Sequence, residues 1–245
     1  MQDKRFAVLI DADNVSDKYI KVILDEISND GIITYKRIYG DWTKPTLSSW
    51  KSVLLNHSIT PMQQYNYTTG KSSTDSAMII DAMDILYSGN VDGFCLVSSD
   101  SDFTRLAARL RESGMYVIGM GEKKTPNPFI SACNRFKYLE IIGGNERSTK
   151  QNDIENDELT VDVIRKTVSE IIMDISDDDG WASLSEVGNI LNKRFSSFDV
   201  RHFHFSKLTP FIKSLGIFEI KSIPSSQDPN VKVNSIRQKY NTEIV

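Results

Sequence analysis

Cysteine is nearly absent from this chain. Only Cys95 and Cys133 occur in 245 residues, each among apolar neighbours and at no spacing that would ligate a metal. That excludes a disulfide-stapled scaffold and fits buried free thiols in a reducing compartment. Long hydrophobic runs are missing as well: none approaches the ~20 residues that a bilayer crossing requires. The stretch Phe6–Ile10 is too short for a signal peptide and runs straight into acidic residues. The expectation is a cytoplasmic protein that does not engage the membrane. Positive charge is not in excess either. Lys and Arg number 29 against 33 Asp and Glu, and the net charge of −4 argues against a surface that grips nucleic acid all over. The objection weakens if carboxylates form an active site, because a bound divalent ion inverts their local effect and local basic positions then meet the substrate. A glycine-rich phosphate loop is also lacking: Gly70-Lys71-Ser72 imitates the end of one, but Tyr65 stands where its first glycine would be. The chain carries no internal repeat and no low-complexity tract.

What is present alternates. Apolar runs at Phe6–Ile10, Ile32–Tyr39, Phe94–Ser98 and Met115–Met120 read as strands. Between them Ser16 would cap a helix with Tyr19, Ile20, Ile23, Leu24 and Ile27 on one face, ending near Gly31. Thr74–Tyr87 and Phe103–Glu112 give two more helices, the latter stopped by Gly114 just past its end. Strand–helix alternation with short connections implies an α/β fold, a Rossmann-like, mainly parallel sheet with helices on both faces. This domain is expected over residues 1–144. A polar linker over 145–159 follows. Val161–Ile175, Leu184–Phe195 and Phe205–Leu215 then read as helices, and Ile217–Ile220 with Val231–Val233 as a short wing around the Pro224–Pro229 turn. Residues 160–235 are therefore expected to form a small winged-helix domain, with a frayed tail over 236–245.

The feature that carries chemistry is Asp11-Ala12-Asp13-Asn14, directly after the first strand. Ligands of open parallel sheets bind at the carboxyl ends of strands, where the strand order reverses. A second acidic set, Ser98-Ser99-Asp100-Ser101-Asp102, follows the Phe94 strand in the equivalent position, and Asp75 opens the next helix after Thr69-Gly70-Lys71-Ser72. If the two strands are neighbours, Asp11, Asp100 and Asp102 converge with Asp75 facing them. Carboxylates that close cannot all stay ionised without a cation. Their hard oxygens suit Mg²⁺ or Mn²⁺ with waters completing the shell. The plain readings are that Asp75 and Asp102 are helix N-caps, Asp13 a turn residue, and Asp17, Asp25, Asp84 and Asp92 solvated surface. Asp81 is expected to reach the rim of the site.

The segments Phe6–Asn14 (FAVLIDADN), Lys71–Asp81 (KSSTDSAMIID), Leu96–Phe103 (LVSSDSDF) and Gly114–Gly119 (GMYVIG) together resemble the NYN domain, a branch of PIN-like ribonucleases that includes the LabA-like group. The resemblance covers about the first 143 residues. It implies that Asp11, Asp75, Asp100 and Asp102 bind the metal and that Asn14 supports the first of them. The usual sequence before the middle acid is closer to K-x-V-D, whereas Lys71 here precedes Ser72, Ser73 and Thr74. Leu184–Phe195 (LSEVGNILNKRF) and Phe205–Gly216 (FSKLTPFIKSLG) resemble the OST-HTH, or LOTUS, domain over roughly Thr160–Val233. In it Lys193, Arg194, Arg201, His202, His204 and Lys207 form a basic patch interleaved with Phe198, Phe203 and Phe205, a mixture suited to RNA. The opposing reading makes those rings core and the cations merely solvated.

The expected activity is metal-dependent endoribonuclease hydrolysis, in which Asp75 or Asp102 orients the attacking water. Lys71 and Arg105 hold the substrate or offset charge in the transition state, and Lys193, Arg194 and Lys207 bind RNA. Tyr39 and Trp42 either stack a base at the rim or pack under a loop. Two rivals remain. Asp11-x-Asp13 after a strand also resembles the first motif of haloacid-dehalogenase-like phosphatases, although Asn14-Val15 replaces the usual Gly-Thr or Gly-Val. The other is a non-catalytic RNA-binding adaptor, which would have no need of four acids. A homodimer, and a protein partner for the C-terminal domain in place of RNA, stay open.

Overall fold

In the computed structural model, which describes residues 3–65, 73–143, 159–224 and 232–239, the four expected strands form the centre of one sheet. The strands are β1 (Arg5–Asp11), β2 (Ile32–Gly40), β3 (Thr60–Gln63), β4 (Gly93–Val97), β5 (Tyr116–Gly121) and β6 (Arg135–Tyr138). Their order is β3-β2-β1-β4-β5-β6, and every pairing is parallel. The chain builds outward from β1 to one edge, returns to the middle and builds outward again from β4. The order therefore reverses between β1 and β4, whose carboxyl ends open on the crevice used by this class of sheet.

The side chains of the inner strands divide between two faces with period two. Ala7, Leu9, Phe94 and Leu96 pack with Met78, Ala82 and Ile85 of α3 (Ser73–Ser88) and with Leu106, Ala107 and Leu110 of α4 (Thr104–Glu112). Phe6, Val8, Ile10, Cys95 and Val97 pack with Ile20, Ile23 and Ile27 of α1 (Ile20–Ser28) and with Trp50 and Leu54 of α2 (Trp50–His57). Short helices α5 (Asn127–Ala132) and α6 (Leu139–Ile142) flank β6. Cover on both faces is why β1 reads as an unbroken apolar run and not as an alternation. Both cysteines are buried and unbridged, and burial pushes the Cys133 thiol up to about 12. Gly114 ends α4 at φ +82°, with its N–H on the Arg111 carbonyl, a left-handed position that glycine adopts without steric cost. Ser16 does not act as a side-chain cap: a short 3-10 turn, Asp17–Tyr19, precedes α1.

Several elements go beyond the expected set, and three of them show why they were hard to read. β3 is a four-residue strand containing Pro61, which an edge position tolerates. α2 buries Trp50 and Leu54 but leaves Leu55 exposed, so its apolar pattern is weak. β6 reads RFKY, and its Lys137 is only 2% exposed. The ammonium sits 2.5 Å from Asp30 Oδ2 and 3.2 Å from Glu26 Oε1, with Arg135 3.3 Å from Asp30. A charge that deep is held by its partners, which fasten the end of α1 to the edge of the sheet.

The chain divides into two compact units, Met1–Glu146 and Arg147–Val245. In the second, Thr160 caps α7 (Val161–Ile175) by accepting the Val163 N–H at 3.3 Å. Helices α8 (Leu184–Arg194) and α9 (Leu208–Ser214) complete three helices. Strands β7 (Ala182–Ser183), β8 (Phe218–Pro224) and β9 (Lys232–Gln238) form an antiparallel sheet in the order β7-β9-β8. Leu159, Ile164, Val168, Ile171, Val187, Leu191, Phe211 and Ile236 share one core. The tail expectation is corrected here. β9 continues to Gln238 because its Ile236 is wholly buried, although its neighbours are polar. Of the linker expected over 145–159, residues 145–158 lie outside the described residues, while Leu159 packs into the C-terminal core and so belongs to the domain; residues 225–229 of the expected Pro224–Pro229 turn also lie outside the described residues. Among the described residues no helix is long and apolar enough to cross a membrane.

Lys137→Met should lower the unfolding free energy by about 3 kcal/mol, the low end for a broken buried pair because Glu26 and Asp30 keep some water. Urea denaturation measures it; an unchanged midpoint would show that the pair does not hold the edge strand.

Candidate metal centre

The backbone brings Asp11, the last residue of β1, beside the end of β4, because Ile10 pairs with Val97. Asp11 is 1% exposed, and each of its oxygens is engaged. Oδ1 accepts the Asp13 N–H at 3.1 Å. Oδ2 accepts the Asn14 side-chain amide at 2.7 Å and the Ser98 hydroxyl at 2.8 Å. Burial raises the Asp11 carboxyl above the ordinary aspartate range, the donors from Asn14, Ser98 and Asp13 pull it back down, and the Asp13 charge adds to the rise. Asn14 thus supports Asp11 directly.

Ser98 carries the arrangement onward, since its Oγ also accepts the Asp100 N–H at 3.1 Å. Asp100 caps the 3-10 turn Ser101–Phe103 by accepting the Asp102 N–H at 2.9 Å. On the other side, Asp13 Oδ2 accepts the buried Thr74 hydroxyl at 3.2 Å, which fixes the first turn of α3 where Asp75 stands. The result is a cluster in which Asp75, Asp100 and Asp102 each offer an oxygen within 4.8 Å of the others. The expectation of Asp11, Asp100 and Asp102 converging with Asp75 opposite is thereby modified. Asp75 is a full member of the close group, while Asp11 lies deeper and meets it through Ser98. The capping role foreseen for Asp102 falls to Asp100.

The donor set passes a chemical test for a divalent cation. Three carboxylates with graded exposure, two half-buried and one exposed, supply hard oxygens at close range and lie where solvent can complete the shell. No thiol or imidazole is among them, which separates the site from zinc chemistry.

Around the cluster, Arg105 is exposed on the first turn of α4, three residues beyond Asp102. Lys71 lies outside the described residues. Asp81 is not at the rim: it is hydrogen-bonded to Arg37 and Tyr39 on β2. Tyr39 is wholly buried, and that burial, then the Asp81 contact, raises its phenol pKa, so it stacks no base. Trp42 donates Nε1–H to the Met62 carbonyl at 3.0 Å and packs on the core. Residues the sequence reading did not single out are Ser98, Thr74 and Lys44, whose Nζ is 3.3 Å from Asp13 Oδ1. Their signal was a hydroxyl or a cation at a strand or helix end, which is too common to stand out alone.

In the C-terminal unit the sequence patch separates into two parts. Phe198 is buried in the core, while the half-buried Phe203 stacks on Phe211 at 4.7 Å and the half-buried Phe205 packs on the same ring, so all three rings lean on the core. Lys193 and Lys207 are exposed, and Arg194 is also exposed but leans on Glu170 and Asp174 of α7, 3.4 Å from each.

No curated protein matches the chain. Among solved structures, a crystal structure of a protein of unknown function from Vibrio parahaemolyticus RIMD 2210633 is 19% identical, over 56% of this chain and 93% of that one, with a TM-score of 0.48. The OST-HTH/LOTUS domain family matches residues 157–229, which points to RNA binding. The NYN domain family, whose members are ribonucleases, matches residues 5–140. Since that match spans more than half of its length, the chain belongs to the NYN domain family.

Proposed function

We propose that this protein is a divalent-metal-dependent endoribonuclease that hydrolyses RNA phosphodiester bonds at the Asp75–Asp100–Asp102 cluster. The observation that carries the reading is the convergence of those three carboxylates at the switch point of an NYN-type sheet. Asp75, Asp100 and Asp102 would hold Mg²⁺ or Mn²⁺, with Asp11 as the fourth acid. When bound, the ion supplies a polarised phosphate and a water of lowered pKa. Asp75 or Asp102 would orient the attacking water, and the ester oxygen leaves phosphorus as the new P–O bond forms, taking a proton from solvent. Asn14 and Ser98 oppose the upward push of burial on the Asp11 carboxyl and fix it in one orientation; a carboxylate has about four acceptor positions, and one remains on Oδ1 after the Asp13 N–H. Arg105 offsets charge on the reacting phosphate. Lys71 holds the substrate backbone, and Lys193, Arg194 and Lys207 bind RNA in the C-terminal domain, which keeps substrate near the site.

The phosphatase alternative needs Asp11 as an exposed nucleophile. With 1% exposure and Oδ2 accepting two hydrogen bonds, Asp11 is poorly suited to attack.

Purified protein should cut labelled RNA in Mn²⁺ or Mg²⁺ and stop in EDTA, followed by gel electrophoresis. Activity that survives chelation overturns the metal assignment. Asp100→Asn keeps a capping side chain while removing one of three crowded charges. In EDTA it should melt at or above the parent. Mn²⁺ should raise the melting temperature of the parent alone, as expected for a ligand of the folded state. A variant that melts well below the parent in EDTA would make Asp100 a structural cap only.

Deleting the C-terminal unit should raise KM more than it lowers kcat. RNA binding by that unit should weaken steadily with added salt. Unchanged kinetics, with no binding at low salt, would assign the unit to a protein partner.

A further inference from the structure

Two lysines that the sequence reading passed over stand on either side of the acidic cluster. Lys44 follows β2, and Lys124 follows β5, so both leave the sheet at the same end as Asp11 and Asp100. In the strand order β2 flanks β1 and β5 flanks β4, and the two loops therefore bracket the switch point. At ~4.8 Å per strand the bracket is ~14 Å wide.

Each lysine is tied to the cluster through one carboxylate. Lys44 Nζ is 3.3 Å from Asp13 Oδ1, and the other Asp13 oxygen accepts the hydroxyl of Thr74, the residue before Asp75. Lys124 Nζ is 2.8 Å from Glu122 Oε2, and the Glu122 N–H donates to Oγ of Ser99, the residue before Asp100, at 2.9 Å. The β5 loop is held in shape, since Thr125 Oγ1 donates to the Glu122 carbonyl at 2.5 Å and the Lys123 N–H meets both Glu140 oxygens. The lysine side chains remain 39% and 66% exposed. Exposed ion pairs of this kind are weak. An arriving phosphate can share or take either ammonium at little cost.

We propose that Lys44 and Lys124 are phosphate contacts on opposite sides of the acidic cluster, so that an RNA strand crosses the strand ends from the β2 side to the β5 side. The inference rests on the nuclease reading and adds the path of the substrate. A strand held on both sides of the reacting phosphate continues past the site in both directions, so free ends are not required.

The test uses the full chain, labelled unstructured RNA and Mn²⁺, with binding read by fluorescence anisotropy across a salt series before products accumulate. Lys44→Ala and Lys124→Ala should each flatten the log–log salt slope by ~0.7, the share of one phosphate contact on a single strand. Lys4→Ala, at the opposite end of β1, should leave it unchanged. RNA should also protect Lys44 and Lys124, but not Lys4, from acetylation read by mass spectrometry. Slopes and acetylation that do not respond at Lys44 and Lys124 overturn the proposal. So does a Lys44→Ala variant that loses the Mn²⁺ thermal shift, which would make Lys44 a support for the acids. A parent chain that binds through these lysines yet never cuts RNA overturns the nuclease reading and supports this one.

Discussion

A carboxylate taken out of water has to be met by donors, and Asp11 imposes that demand at the point where β1 ends. The donors come from the following turn, through the Asp13 N–H and Asn14, and from β4, through Ser98. Satisfying one buried charge therefore fixes the relative height of two strand ends and the course of the turn that follows β1. Ser98 then hands Asp100 its position, and Asp13 hands Thr74 and the first turn of α3 theirs. Even β5 is fitted to this arrangement. A Cβ on Gly121 would sit 2.6 Å from the Ser98 carbonyl, so glycine allows the close approach. The three clustered acids come from two segments, Asp75 from α3 and Asp100 and Asp102 from the turn after β4, and the hydrogen bonds around the buried fourth acid tie both segments to the end of β1.

The sequence was most legible where period and burial agree. β1 and β4 were plain because parallel strands covered on both faces are continuously apolar. α7 was plain because its apolar face repeats without a break. β6 stayed hidden because one of its buried side chains is Lys137, whose burial depends on Glu26 and Asp30 more than a hundred positions earlier. No local pattern reports such a pair. β3 hid behind Pro61, and the second half of β9 behind the polar neighbours of Ile236. At the site, the acids could be read from their places after strands, but their grouping could not. Whether Asp11 or Asp75 stands closest to Asp100 and Asp102 depends on which oxygens Ser98 and Asn14 occupy. The phenylalanines of the C-terminal unit stayed open between two readings for a related reason, since rings between cations look the same in sequence whether they face solvent or Phe211.

The net charge of −4 also has an account in space. Three of its acids are gathered where a cation would neutralise them. At the rim, Lys44 and Lys124 each stand beside a carboxylate at the same end of the sheet. An acidic protein can present a locally mixed surface to a polyanion in this way, without the long-range attraction of a basic one.

The two outer strands of the large sheet have a consequence for how molecules of this protein meet each other. A sheet margin with free N–H and C=O groups invites another chain to zip onto it. Here both margins are only four residues long. One includes a proline, which has no N–H to donate, and the other turns a charged lysine inward. A neighbour that tried to extend the sheet would find a short, interrupted template on one side and a buried ion pair to disturb on the other. Sheet-to-sheet accretion is thereby discouraged at both margins.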